Sequence, residues 1–177
     1  MIRQTRLDRF LARFETIGNS ISFYILLLIV ILGIWILTPF APDWRPNGKV
    51  FGITAMVFAI FTMLHGILWF FLTRDYIKMP KKARASLTMT VRILRPLHMM
   101  SGLFALGIVL IHAYAFVKTG YGWNRYSISG ALSLLTLSIL AIDGIGLMSS
   151  PFLSRVVHRW IAVLFTALLA IHLWYVL

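Results

Sequence analysis

Two stretches decide how this chain is read: RPLHMMSGLFALGIVLIH, residues 95–112, and RVVHRWIAVLFTALLAIHLWYVL, residues 155–177. Each is an apolar run with a histidine towards either end, His98 and His112 in the first, His158 and His172 in the second, fourteen residues apart in both. Each leading histidine follows an arginine by three residues, Arg95 and Arg155. About 20 apolar residues at ~1.5 Å per residue cross a ~30 Å hydrocarbon core. The helical reading is required, because lipid offers no partner to an unpaired backbone amide or carbonyl.

Three further runs of this kind flank the first two. The expected spans are 21–40, 51–72, 97–117, 128–148 and 156–177. The composition agrees: 60% of the 177 residues are hydrophobic and 12% charged, with a mean hydropathy of +0.87. A soluble domain carries roughly 45–50% apolar and about 25% charged residues. The first span is too long for a signal-peptide core and no small-residue cleavage site follows it, so a retained helix is expected. The expected fold class is therefore all-α, an integral membrane bundle of five transmembrane helices filling 20–177. Residues 1–19 precede it as an amphipathic segment, with Leu7, Phe10, Leu11 and Phe14 on one helical face and Arg3, Arg6, Arg9 and Arg13 largely elsewhere.

A formal net charge of +12 invites a nucleic-acid reading, but the basic residues gather between the spans, where they act as topology signals. Four arginines precede the first span. Seven basic residues (Arg74, Lys78, Lys81, Lys82, Arg84, Arg92, Arg95) fill the second loop, and Arg155 and Arg159 follow the fourth span. The opposite loops hold only Arg45 and Lys49, and Lys118 and Arg125. The expected placement is a cell (inner) membrane, multi-pass, with the N-terminus cytoplasmic and the C-terminus external. Trp44, Trp69, Tyr121, Trp123, Tyr126, Trp174 and Tyr175 sit near span ends, as interfacial anchors do. The lipid bilayer is the first expected partner.

The sequence has no cysteine, which excludes disulfides and thiolate-held metals and leaves imidazole as the strongest ligand available. Fourteen residues turn a helix by about 1400°, some 40° short of four turns, and raise it about 21 Å. The two histidines of each helix thus share a face, one in each leaflet. The third and fifth spans run in the same direction, so His98 is level with His158, and His112 with His172. A single ion cannot bridge pairs so far apart, and two imidazoles are too few for a closed zinc site. Two bis-histidine haems b fit the pattern. With both axial positions taken, such a group passes electrons rather than binding oxygen. Arg95 and Arg155, one turn before the first ligands, suit haem propionates. Gly102 and Ala162, one turn after them, would let a flat ring approach.

Three residues are less constrained. His65 on the second span is read first as a bundle hydrogen-bonding residue, and otherwise as a propionate contact or an alternative ligand. Asp143 is expected to pair with Arg155 or Arg159, or else to relay protons at a flavin or quinone site. Ser150 and Pro151 read as N-cap and first helical residue of the fifth helix.

Arg95/His98/His112 and Arg155/His158/His172 resemble the ferric reductase-like transmembrane domain. That superfamily includes ferric reductases, NADPH oxidases and the haem-binding membrane subunit of the bacterial periplasmic methionine sulfoxide reductase system. The resemblance covers roughly residues 51–177 and implies electrons entering at the cytoplasmic haem and leaving from the outer one. It implies an oxidoreductase membrane subunit that needs a partner for catalysis. The acceptor would be ferric iron or a periplasmic reductase, and the donor a flavoprotein docked on the basic second loop or membrane quinol. The sequence departs from the larger members in lacking a glycine-rich dinucleotide fingerprint, so direct NAD(P)H oxidation by these residues is not expected. The respiratory cytochromes b offer a second architectural analogy. The reading of another class is a non-redox membrane scaffold whose histidines only bond between helices.

Overall fold

The computed structural model describes residues 9, 12–13, 16–18, 20–37, 47–73, 78–118, 120, 122–148 and 154–177. They form α1 (Ile21–Leu37), α2 (Gly48–Thr73), α3 (Lys81–Lys118), α4 (Arg125–Gly146) and α5 (Arg155–Val176). Four of these, α2 to α5, are long and apolar enough to cross a membrane, while α1 is a shorter apolar helix of 17 residues. Most of the expected amphipathic segment lies outside the described residues; Arg9 and Arg13 are helical and exposed.

The helices α2 to α5 run up and down in sequence, each packed on the one before it. α1 lies outside this set, against α3 and, more lightly, α4. α5 rests mainly on α4 and touches α2 through side chains: the Arg159 guanidinium stands 4.0 Å over the Trp69 ring, and the Thr166 hydroxyl meets the Met63 sulfur at 3.9 Å. The outward faces are apolar. Ile29, Val57, Leu135 and Val163 are all 57–59% exposed, a distribution that water would penalise and lipid would not.

Local chemistry explains the helix ends. Asn124 caps α4, its side-chain oxygen accepting from the amides of Tyr126 and Ser127 while the Ser127 hydroxyl accepts from the Asn124 amide. Gly120 and Gly122, at φ 71° and 54°, turn the chain between α3 and α4 where a Cβ would be strained. The N-cap of α5 is Ser154, extended at φ −74° and ψ 154°, with its hydroxyl accepting from the Val157 amide. The described helix starts at Arg155, three residues before His158; Ser150 and Pro151, the expected cap and first residue, lie outside the described residues.

α3 departs further from expectation. It is continuous for 38 residues, about 57 Å, so much of the expected basic loop is helix standing beyond the apolar layer. It passes through Pro96, whose ring removes one helical hydrogen bond two residues before His98. That point is buttressed. The buried Tyr24 hydroxyl of α1 reaches both the Gly18 carbonyl (3.2 Å) and the Pro96 carbonyl (3.3 Å). Gly18 lies so close to the Pro96 ring that a Cβ there would overlap it.

At mid-height Ala59, Ala105, Leu106, Leu137 and Phe165 form a buried apolar cluster. Ala105 lies seven residues from each histidine of α3, and Phe165 seven from each histidine of α5. An apolar layer thus separates the two histidine levels.

Candidate metal centre

Each of the four histidines is held through Nδ1 by the helix that precedes its own. His98 Nδ1 is 2.8 Å from the Thr62 carbonyl and His112 Nδ1 is 2.8 Å from the Gly48 carbonyl, both on α2. On α5, His158 Nδ1 is 2.8 Å from Asp143 Oδ2, and His172 Nδ1 is 3.1 Å from the Ser129 hydroxyl, both partners lying on α4.

These partners fix the tautomers. A carbonyl or carboxylate oxygen only accepts, so the proton sits on Nδ1 in His98, His112 and His158. The Ser129 hydroxyl already donates to the Tyr126 carbonyl at 3.0 Å, so it too accepts from His172. In a neutral imidazole with hydrogen on Nδ1, the lone pair is on Nε2. Nε2 lies across the ring from the bonded nitrogen and is therefore directed away from α2 for one pair and away from α4 for the other. A metal-ligating histidine is normally prepared in this way, its second nitrogen donating to a carbonyl or carboxylate that fixes the ring and raises its basicity.

His98 lies within electrostatic reach of His158, and His172 of His112. Among the described residues α3 and α5 share little close backbone contact, and they meet at mid-height in the apolar cluster. No group of three or more metal-binding side chains occurs among the described residues; the arrangement is two pairs.

Glycines shape the rings' surroundings. A Cβ on Gly52 would stand 2.8 Å from His112 Cε1, and one on Gly130 would stand 3.0 Å from His172 Cε1. Gly144 is looser, 3.9 Å from His158 Cε1, and Gly66 faces open space. Sequence reasoning missed these residues and the Nδ1 partners, although a signal was present. The fourteen-residue step of the histidines recurs in Gly48/Thr62 and Gly52/Gly66 on α2, and in Ser129/Asp143 and Gly130/Gly144 on α4. The hairpins α2–α3 and α4–α5 are thus two copies of one plan: a partner helix with glycines, then a helix with two histidines.

Other expected residues fall as follows. Asp143 is buried and bonds His158, not Arg155 or Arg159; Arg159 lies over Trp69 instead. Arg95 and Arg155 are exposed at the end of the bundle that carries His98 and His158. Arg95 lies within electrostatic reach of Tyr24 and His65. The His65 ring packs against His98, centroids 4.9 Å apart. Gly102 serves the α2–α3 contact: its nearest neighbour would be Thr62 Cγ2 at 3.6 Å, beside the 2.7 Å hydrogen bond between Thr62 and Ser101.

No family model, curated protein or solved structure matches this chain.

Proposed function

We propose that this chain is a di-haem b membrane cytochrome of the ferric reductase-like kind, carrying electrons from one face of a bilayer to the other. The observation that carries the reading is the common preparation of His98, His112, His158 and His172. All four have Nδ1 committed to a neighbouring helix and Nε2 left as the donor, in two facing pairs. The donor set fits haem: two neutral imidazoles per level, in an apolar setting, with glycines leaving room beside the rings of His112 and His172.

His98 and His158 would hold one haem and His112 and His172 the other. Arg95 and Arg155 provide guanidinium groups for propionates at the first level. Haem supplies reversible one-electron storage there, and the chain's own residues fix the ligand rings, exclude water at mid-height and confine each group to its level. In this reading α1 is the first of five spans and residues 1–19 are its surface helix. The arginine and lysine distribution supports a cytoplasmic N-terminus, with the His98–His158 level on that side of the cell membrane. A flavoprotein or quinol is the donor class at that side, and ferric iron or a partner reductase the acceptor class at the other. The chain works as the membrane subunit of an oxidoreductase.

The test is the absorption spectrum of the purified chain. A reducible Soret and α-band signal at two haems per polypeptide is expected, falling to one in either His112→Ala or His172→Ala. A chain without this signal, after expression with haem supplied, is a scaffold and not a cytochrome.

A further inference from the structure

The four imidazoles are held alike in geometry and unlike in charge. His98 and His112 donate to backbone carbonyls and His172 to a hydroxyl. His158 alone donates to a carboxyl group, and the Asp143 that supplies it is 0% exposed. Among the described residues His158 is the hydrogen-bond partner of Asp143 Oδ2, and the second carboxyl oxygen, Oδ1, has no hydrogen-bond partner. Nothing in packing asks for an acid here. The equivalent position in the other half of α4, fourteen residues earlier, is filled by Ser129.

We infer that Asp143 makes the two levels inequivalent: acting through His158 as a positioning residue, it gives the His98–His158 level the lower reduction potential. The inference rests on the haem reading above. A carboxylate accepting from Nδ1–H makes Nε2 a stronger donor, which favours the more positive oxidation state of a bound metal. Its own charge acts in the same direction, and burial removes the water that would screen it.

The cations around this level do not reverse the sign. Arg95 approaches from α3 and His65 from α2, while Arg155 and Arg159 lie on α5. The three arginines are exposed, where solvent and salt weaken their reach, and Arg159 is turned onto Trp69. Asp143 touches the ligand itself. At the other level the Gly48 carbonyl and the Ser129 hydroxyl that meet the rings carry no formal charge. A single electron shared between the levels therefore resides mainly at His112–His172, and the direction of flow is written into α4.

Optical redox titration of the purified full chain, with its haems, tests this. Wild type should show two separated midpoints. Asp143→Asn keeps an oxygen to accept from His158 and removes the charge; with two haems retained, the lower midpoint should rise and the upper stay in place. A lower midpoint that does not rise overturns the inference and leaves the cytochrome reading intact. Ser129→Asp supplies the converse arm, and decides alone should Asp143→Asn lose a haem. A carboxylate placed beside His172 should lower the upper midpoint and narrow the gap, and an unmoved midpoint with both haems bound overturns the inference. Wild-type protein that binds no haem would instead overturn the underlying reading, a failure visible before any titration begins.

Discussion

Gly52 of α2 lies so close to the ring of His112 on α3 that a Cβ would stand 2.8 Å from Cε1 and 2.9 Å from Nδ1. The helix can therefore offer the Gly48 carbonyl to Nδ1 one turn away only because residue 52 has no side chain. Gly52→Ala should push the ring aside and break the 2.8 Å bond to Gly48. Haem content should fall from two per chain to one, as a pyridine haemochrome assay would read it. Gly66→Ala, fourteen residues on and facing open space, is the control. It should keep both haems and gain up to about 1 kcal/mol from helix propensity.

A graded result is expected on α4. A Cβ on Gly130 would stand 3.0 Å from His172 Cε1, and one on Gly144 would stand 3.8 Å from Met99 Sδ and 3.9 Å from His158 Cε1. Gly130→Ala should weaken retention of the haem at its level without abolishing it, because the ring must give by a few tenths of an ångström. Gly144→Ala should leave retention at wild-type levels. Haem remaining after incubation with excess apomyoglobin would rank the variants.

Ser129→Ala removes the acceptor of the His172 Nδ1 proton while leaving the helix intact. Loss of a partner of this kind typically weakens metal affinity by about 10–100-fold. The same transfer assay should show one haem leaving faster and the other unchanged. Equal rates for both would argue against the assignment of His172 to a separate site.

Phe165 fills the centre of the apolar layer and is 7% exposed. Phe165→Ala should destabilise the bundle by about 3–5 kcal/mol through lost burial and the cavity left behind. Val163→Ala, on the outward face at 59% exposure, should change little by comparison. Thermal unfolding in a fixed detergent, followed by circular dichroism, compares the two.

Tyr24→Phe removes a buried hydroxyl that reaches the Gly18 and Pro96 carbonyls. Losing such a bond costs about 1 kcal/mol net, and more where buried acceptors are left bare. The expected outcome is a lower unfolding temperature with both haems still bound, since Tyr24 touches none of the four histidines.

The apolar helices and the histidine register were legible in sequence because both are periodic properties of side chains. Fourteen residues bring a helix back to nearly the same face, whatever surrounds it. The partners of Nδ1 were not legible for a different reason. Thr62 and Gly48 act through backbone carbonyls, which every residue possesses, and no residue type announces that role. Asp143 was expected beside an arginine by charge alone, but α4 and α5 bring it to His158, and Arg159 finds an aromatic face instead. The continuous α3 was obscured by its composition, since charged residues and an internal proline read as a loop between spans. The repeated glycine spacing on α2 and α4 was available throughout; its meaning needed the rings it lies against.

Each level takes one histidine from the hairpin α2–α3 and one from the hairpin α4–α5, and the helices that carry them have little direct backbone contact. Neither hairpin owns a complete site. Two inserted halves can each orient their own imidazoles before they meet, since every Nδ1 bond is internal to its hairpin. A group held by His98 with His158, and a second by His112 with His172, would link the hairpins at two levels about 21 Å apart. Binding that favours only the joined form adds its free energy to the fold. If the two pairs hold haem as proposed, its binding would add to the packing that already joins the hairpins through α3 and α4.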